Sequence, residues 1–175
     1  MTIVAASRSP WLWLATGLAL ALAGPGAAGG SAASRTPSAT GVAVKVFVPR
    51  GDPGPACARV YPLRRAVERP AVLAGAMRAL LAGPTAGERK AGYGGWFSAK
   101  TAGKLRSVSI RRGIAYVDFA DFSQIVPNAS SSCGSTMLLA QLGRTATQFP
   151  TVDRAVYSFN GSRRAFYEWL QRDVP

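Results

Sequence analysis

Apolar and polar positions along this chain switch between a two-residue and a helical period several times. Val42, Val44, Val46 and Val48 alternate with Ala43, Lys45 and Phe47, which predicts a strand ended by Pro49 and the Gly51-Asp52-Pro53-Gly54 run. "ARVYPLRRAV", 58–67, predicts a short edge strand interrupted by Pro62, because proline cannot donate to a ladder. Between Pro70 and the Gly83-Pro84 stop, Leu73, Met77, Leu80 and Leu81 recur at helical spacing and predict the first main helix.

"GERKAGYGGWFS" reads as a loop whose rings, Tyr93, Trp96 and Phe97, tuck under the chain to cap the core. "KLRSVSI" and "IAYVDF" both alternate and are separated by a short glycine-containing turn, so they predict a hairpin. A polar loop leads to a second helix over Cys133–Gln148, with serines before it available as caps. Leu138, Leu142, Thr145 and Phe149 lie along one side of that helix. Pro150 ends it, "DRAVYSF" returns as a strand, and Asn160-Gly161 makes a turn. Phe166, Trp169 and Leu170 then mark a short C-terminal helix. The expected fold is α+β: a single compact domain with a mixed β-sheet, two main helices in β-α-β-β-α-β order and the C-terminal helix.

The first 33 residues stand apart. Arg8 is the only charge before "WLWLATGLALALAG", whose apolar stretch is short for a membrane span of about 20 residues. This predicts a Sec-type signal peptide, with an uncleaved N-terminal anchor as the other reading. No cysteine near the cleavage region suits a lipoprotein. Residues 34–41 read as a flexible linker and 42–172 as the folded domain. The folded part is expected outside the cytoplasm, secreted or associated with the envelope.

That setting changes how cysteine and charge are read. Cys57 and Cys133 form an even pair, too far apart in sequence for a CxxC motif and too few for a zinc site without histidine, so a disulfide is expected. The chain carries a formal net charge of +13, nearly all of it after the leader. Such an excess favours anionic partners, and export disfavours nucleic acid among them. Arg64-Arg65, Arg111-Arg112 and Arg163-Arg164 are candidate anion- or partner-binding pairs if the fold gathers them.

Chemistry is sparse by comparison. With no histidine, the commonest general base and the Ser-His-Asp arrangement are absent. No nucleotide-binding glycine pattern or nucleophile motif occurs, and no cofactor is implied. Asp118 and Asp121, in "VDFAD", are the best acid pair, which leaves glycan hydrolysis as the alternative function.

Four stretches together carry a family likeness: "ALLAGPT" (79–85), "KLRSVSI...GIAYVDFA" (104–120), "CGS" (133–135) and "TQFPTVDRAVYSFNG" (147–161). In this order and spacing they resemble the GerMN domain, the sporulation and spore-germination module of bacterial envelope proteins. The likeness runs from about residue 43 to residue 171. It implies a compact domain without catalytic residues, exported or lipid-anchored, of a kind that in some members helps assemble or anchor envelope complexes. A protein partner is therefore the first expectation, with anionic wall polymer or a membrane surface assisting through the arginine excess. Nothing in the sequence bears on oligomeric state.

Overall fold

A computed structural model of the chain describes residues 41–175 except 53 and 55. The expected signal peptide and nearly all of the expected linker lie outside the described residues.

Ten elements follow in order: β1 (Val42–Val48), β2 (Tyr61–Val67), α1 (Val72–Leu81), α2 (Ala86–Lys90), β3 (Leu105–Arg111), β4 (Ile114–Phe119), a 3-10 turn (Pro127–Ser130), α3 (Ser132–Ala146), β5 (Arg154–Phe159) and α4 (Arg163–Trp169). The α+β class and the expected order hold. The strands, however, divide into two sheets: an antiparallel β1-β2 pair, and a β3-β4-β5 sheet with β3-β4 antiparallel and β4-β5 parallel.

Side-chain chemistry at the strand edges explains the division. In the β1-β2 ladder, Lys45 and Phe47 turn their backbone groups away from β2. Those groups are met by α3 and its C-terminal end. Lys45 N–H donates to Gln148 Oε1 at 2.8 Å, Gln148 Nε2 donates to the Lys45 carbonyl at 2.7 Å, and Phe47 N–H donates to Thr145 Oγ1 at 3.1 Å. Two side chains thus occupy the edge where a third strand would otherwise join.

The other edge of this pair is blunted differently. Pro62 has no N–H to offer, and the Arg65 guanidinium covers the Arg64 carbonyl at 2.9 Å. Across the molecule, β5 is closed by α4: Tyr157 N–H donates to the Tyr167 hydroxyl at 3.3 Å.

The core lies between the two sheets and the helices. Met77, Leu80 and Leu81 of α1 and Leu138 and Leu142 of α3 are fully buried, as the helical spacing requires. They meet Val46 and Val48 of β1 and Val117 and Phe119 of β4 in one cluster. Phe166 joins it from α4, its ring centroid 4.9 Å from that of Phe159. The loop rings cap as expected: Phe97 is buried, Tyr93 and Trp96 pack on the core, and Trp96 Nε1 donates to the Gly134 carbonyl at 3.1 Å.

Two short elements form where the sequence reads as loop, α2 and the 3-10 turn at Pro127–Ser130. Residues Ala86–Lys90, read as loop, form α2 behind a reciprocal cap in which Thr85 and Glu88 satisfy each other's backbone N–H. Helix α3 starts one residue earlier than its expected start at Cys133, on the Ser131 cap, and ends at Ala146, short of Gln148. Residue 148 is therefore outside the helix, where its amide reaches β1.

Candidate functional site

Strand alternation gives the β3-β4-β5 sheet two unlike faces. Ala115, Val117 and Phe119 point to the core, while Ile114, Tyr116 and Asp118 point the other way. The register builds that outer face in rows: Arg111, Ile114 and Arg154; Ser109, Tyr116 and Val156; Ser107, Asp118 and Ser158. Arg163, from the start of α4, lies over the Tyr116 ring at 5.4 Å. The Tyr167 hydroxyl sits within the field of both Arg163 and Arg154. Burial, the largest influence, raises its pKa, while the Tyr157 amide and these two arginines oppose the rise. One end of the face is therefore basic.

Carboxylates on or near this face are engaged elsewhere. Asp118 Oδ1 accepts from Ser158 Oγ and from Gly161 N–H, each at 2.7 Å, and its Oδ2 lies 3.3 Å from Arg106. Asp121 accepts from Ser123 N–H at 2.8 Å, a local turn bond. Asp153 lies against Gly113 of the hairpin turn, where its own N–H donates to the Gly113 carbonyl at 2.7 Å. Each acid of the candidate hydrolytic pair holds a different turn: Asp118 fixes Asn160-Gly161, and Asp121 fixes the loop after β4.

The six arginines named from the sequence are not gathered together. Arg64 and Arg65 lie on β2, in the other sheet. Arg65 is bound at both nitrogens to Glu88, each at 2.7 Å, and that guanidinium first of all lowers the Glu88 carboxyl to about 2. Arg164 is paired with Glu168 at 2.6 Å. Arg111 and Arg163 do reach the outer face, and exposed Arg112 sits in the turn beside it with φ 51. Arg154 and Tyr116 complete the surface and were missed as site residues. A lone arginine and a lone tyrosine in separate strands show their adjacency only once the β4-β5 register is known.

The core side of the same sheet opens at β3. A groove of about 350 Å³ runs between the start of α1 and the outer edge of β3, lined chiefly by Pro70, Val72, Leu73, Val108, Ile110 and Phe149. Ile110 is 42% exposed there, although its alternation places it on the apolar side.

Cys57 and Cys133 form the expected disulfide, with Cα atoms 5.2 Å apart, tying the β1-β2 connection to the first turn of α3. Nearby, Arg172 reaches from the C-terminal tail to Thr136 Oγ1 at 2.8 Å and Ser135 Oγ at 3.0 Å. No group of three or more acidic, cysteine or histidine side chains able to hold a metal occurs among the described residues. None of their helices is long and apolar enough to cross a membrane.

The fold is thus a disulfide-stapled α+β module with a basic sheet face beside an apolar groove. A family model for sporulation and spore germination, Germane, matches residues 29–164, and the chain belongs to that family. Among solved structures it is similar to the tandem GerMN domains of the sporulation protein GerM from Bacillus subtilis, with 18% identity and a TM-score of 0.47, covering 70% of this chain and 40% of that one. It is also similar to the first GerMN domain of the same protein, with 19% identity and a TM-score of 0.44, covering 69% of this chain and 84% of that one. The chain thus spans less than half the length of the tandem structure. No curated protein matches.

Proposed function

We propose that this protein is a non-catalytic, extracytoplasmic module of the bacterial cell envelope that binds or scaffolds protein partners. Anionic wall polymer or the membrane surface assists through the arginine excess. The observation that carries this reading is the meeting of an apolar groove and a basic sheet face at one strand edge, a surface suited to recognition. The disulfide supports an oxidising location, since such bonds persist outside the cytoplasm. The structural bonds of Asp118 and Asp121 support a role without turnover, because each carboxylate is held to a turn. Membership of the sporulation and germination family agrees with an envelope role.

Cross-linking in intact cells tests the reading. A reproducible envelope-protein neighbour, together with retention on envelope material, is the expected result. Retention that falls steeply from low to physiological salt assigns the assisting contact to charge. Release of fragments from cell-wall glycan by the purified protein, abolished in Asp118→Asn, would replace this reading with hydrolysis.

A further inference from the structure

Among the described residues, three of the four strand edges are closed. Gln148 and Thr145 occupy β1, Pro62 and the Arg65 guanidinium blunt β2, and the Tyr167 hydroxyl meets β5. Strand β3 is the exception. Its hairpin turn, Arg112-Gly113, has both residues at positive φ, 51 and 75, the geometry that closes on a hydrogen-bonded Arg111–Ile114 pair. The pairs alternate, so the N–H and C=O groups of Val108 and Ile110 point away from β4. Among the described residues no hydrogen bond reaches them.

We propose that the outer edge of β3 is a docking site for an extended segment of a partner protein, which adds as a further strand and alternates apolar with acidic residues. This rests on the protein-partner reading above and specifies its surface. An added strand continues both faces of the sheet, because side chains alternate in register with the pleat. Its residues on one side enter the groove formed by Leu73, Val72 and Phe149 beside Ile110. Those on the other side come beside the outer face at Arg111 and Arg106, with Arg154 and Arg163 behind them. Asp118 is the acid in the rows of that face, and it already faces Arg106. Charge complementarity therefore asks for Asp or Glu at alternate positions.

A second copy of this chain fits poorly at the same edge. Antiparallel pairing of β3 with itself through the outward groups of Val108 and Ile110 sets Arg111 of each copy opposite Ser107 of the other, beside that copy's Arg106, and like charges crowded together destabilise a ladder.

The test uses the full-length protein and a labelled eight-residue probe alternating valine and glutamate, read by fluorescence anisotropy. The probe is expected to bind. A peptide with glutamate replaced by lysine, and one of the same composition with its valines and glutamates in two blocks, are expected not to. Ile110→Pro removes an outward N–H without breaking a native ladder bond, and is expected to weaken binding about tenfold or more. Methylating the backbone nitrogens on the probe's bonding edge should do the same with unaltered protein, so the result does not hang on one variant folding. Arg111→Glu is expected to shift preference from the glutamate probe toward the lysine probe.

Equal binding of the alternating and block peptides would overturn the proposal, as would indifference to both Ile110→Pro and probe methylation, or no binding at millimolar probe. So would sedimentation showing a dimer that Ile110→Pro dissolves, since that makes a second copy the occupant. The two readings fail separately. A cellular cross-linked partner retained by Ile110→Pro removes the β3 site but leaves partner binding intact. No partner at all removes the broader reading.

Discussion

Gln148 acts toward Lys45 as a neighbouring strand would, accepting the Lys45 N–H at 2.8 Å and donating to its carbonyl at 2.7 Å. A residue just past the end of α3 thereby closes the edge of β1, 103 positions away in sequence. Without the amide, two backbone groups of β1 lose their protein partner and are left to water. Gln148→Met keeps the length and removes both bonds. It is expected to cost about 1–2 kcal/mol, seen as a lower urea midpoint at unchanged slope and faster hydrogen exchange at Lys45. A midpoint equal to that of the parent would mean that solvent replaces the amide at no cost.

This relationship also marks where sequence reading stops. The valine alternation of β1, the apolar face of α1 and the hairpin were all legible, because each depends on the periodicity of a single segment. The division into two sheets was not. It depends on Gln148 and Thr145 meeting β1, and nothing near residue 148 announces a partner near residue 45. The short helix α2 left a local sign, the Thr85-x-x-Glu88 spacing, but its five residues include no buried position and hence no apolar period. Of the surface, the arginine pairs were visible as letters. Their division between ion pairs and an exposed face required the positions of Glu88, Glu168 and Tyr116. The disulfide was legible from an even pair of cysteines read together with the expected leader.

Glu88 joins three structures at once: the cap of α2, the side chain of Arg65 and, through it, the edge of β2. Its carboxyl is held at about 2 against an ordinary value of 4.5, first by the Arg65 hydrogen bonds, with the Thr85 amide adding to them. A pKa depressed by folding gives stabilisation that is complete above the unfolded value and lost as pH falls through the folded one. The loss should therefore run from about pH 4.5 down to about pH 2. Glu88→Gln is expected to be less stable than the parent by about 1–2 kcal/mol at pH 7, with the two converging near pH 2, in urea titrations across that range. A constant difference at every pH would assign the effect to packing instead.

The Cys57–Cys133 bond closes a loop with a sequence separation of 76. Constraining a loop of that size removes unfolded-state entropy equivalent to about 4 kcal/mol. Replacing both cysteines with serine is expected to lower the unfolding free energy by that order, while strand and helix content at low denaturant stays the same. Reductant should bring the parent to the same midpoint and leave the double variant unmoved. If reductant shifts both proteins equally, the bond is not the cause.

Two glycines make opposite predictions for the same substitution. Gly83 ends α1 with φ +75, and a Cβ there would stand 2.2 Å from the Phe97 carbonyl oxygen, inside backbone that has nowhere to move. Phe97 is itself buried in the core, so the clash pushes on packed structure. Gly87 lies inside α2, and a Cβ there meets nothing within 4 Å. Gly83→Ala is expected to destabilise by about 3 kcal/mol or more, from left-handed strain and overpacking together. Gly87→Ala is expected to stabilise by about 0.5–1 kcal/mol, since it removes only unfolded-chain freedom from a helical position. Urea midpoints of the two variants measured side by side decide the matter. Should Gly83→Ala unfold at the parent's midpoint, the close approach of α1 to the Phe97 backbone does not exist in solution.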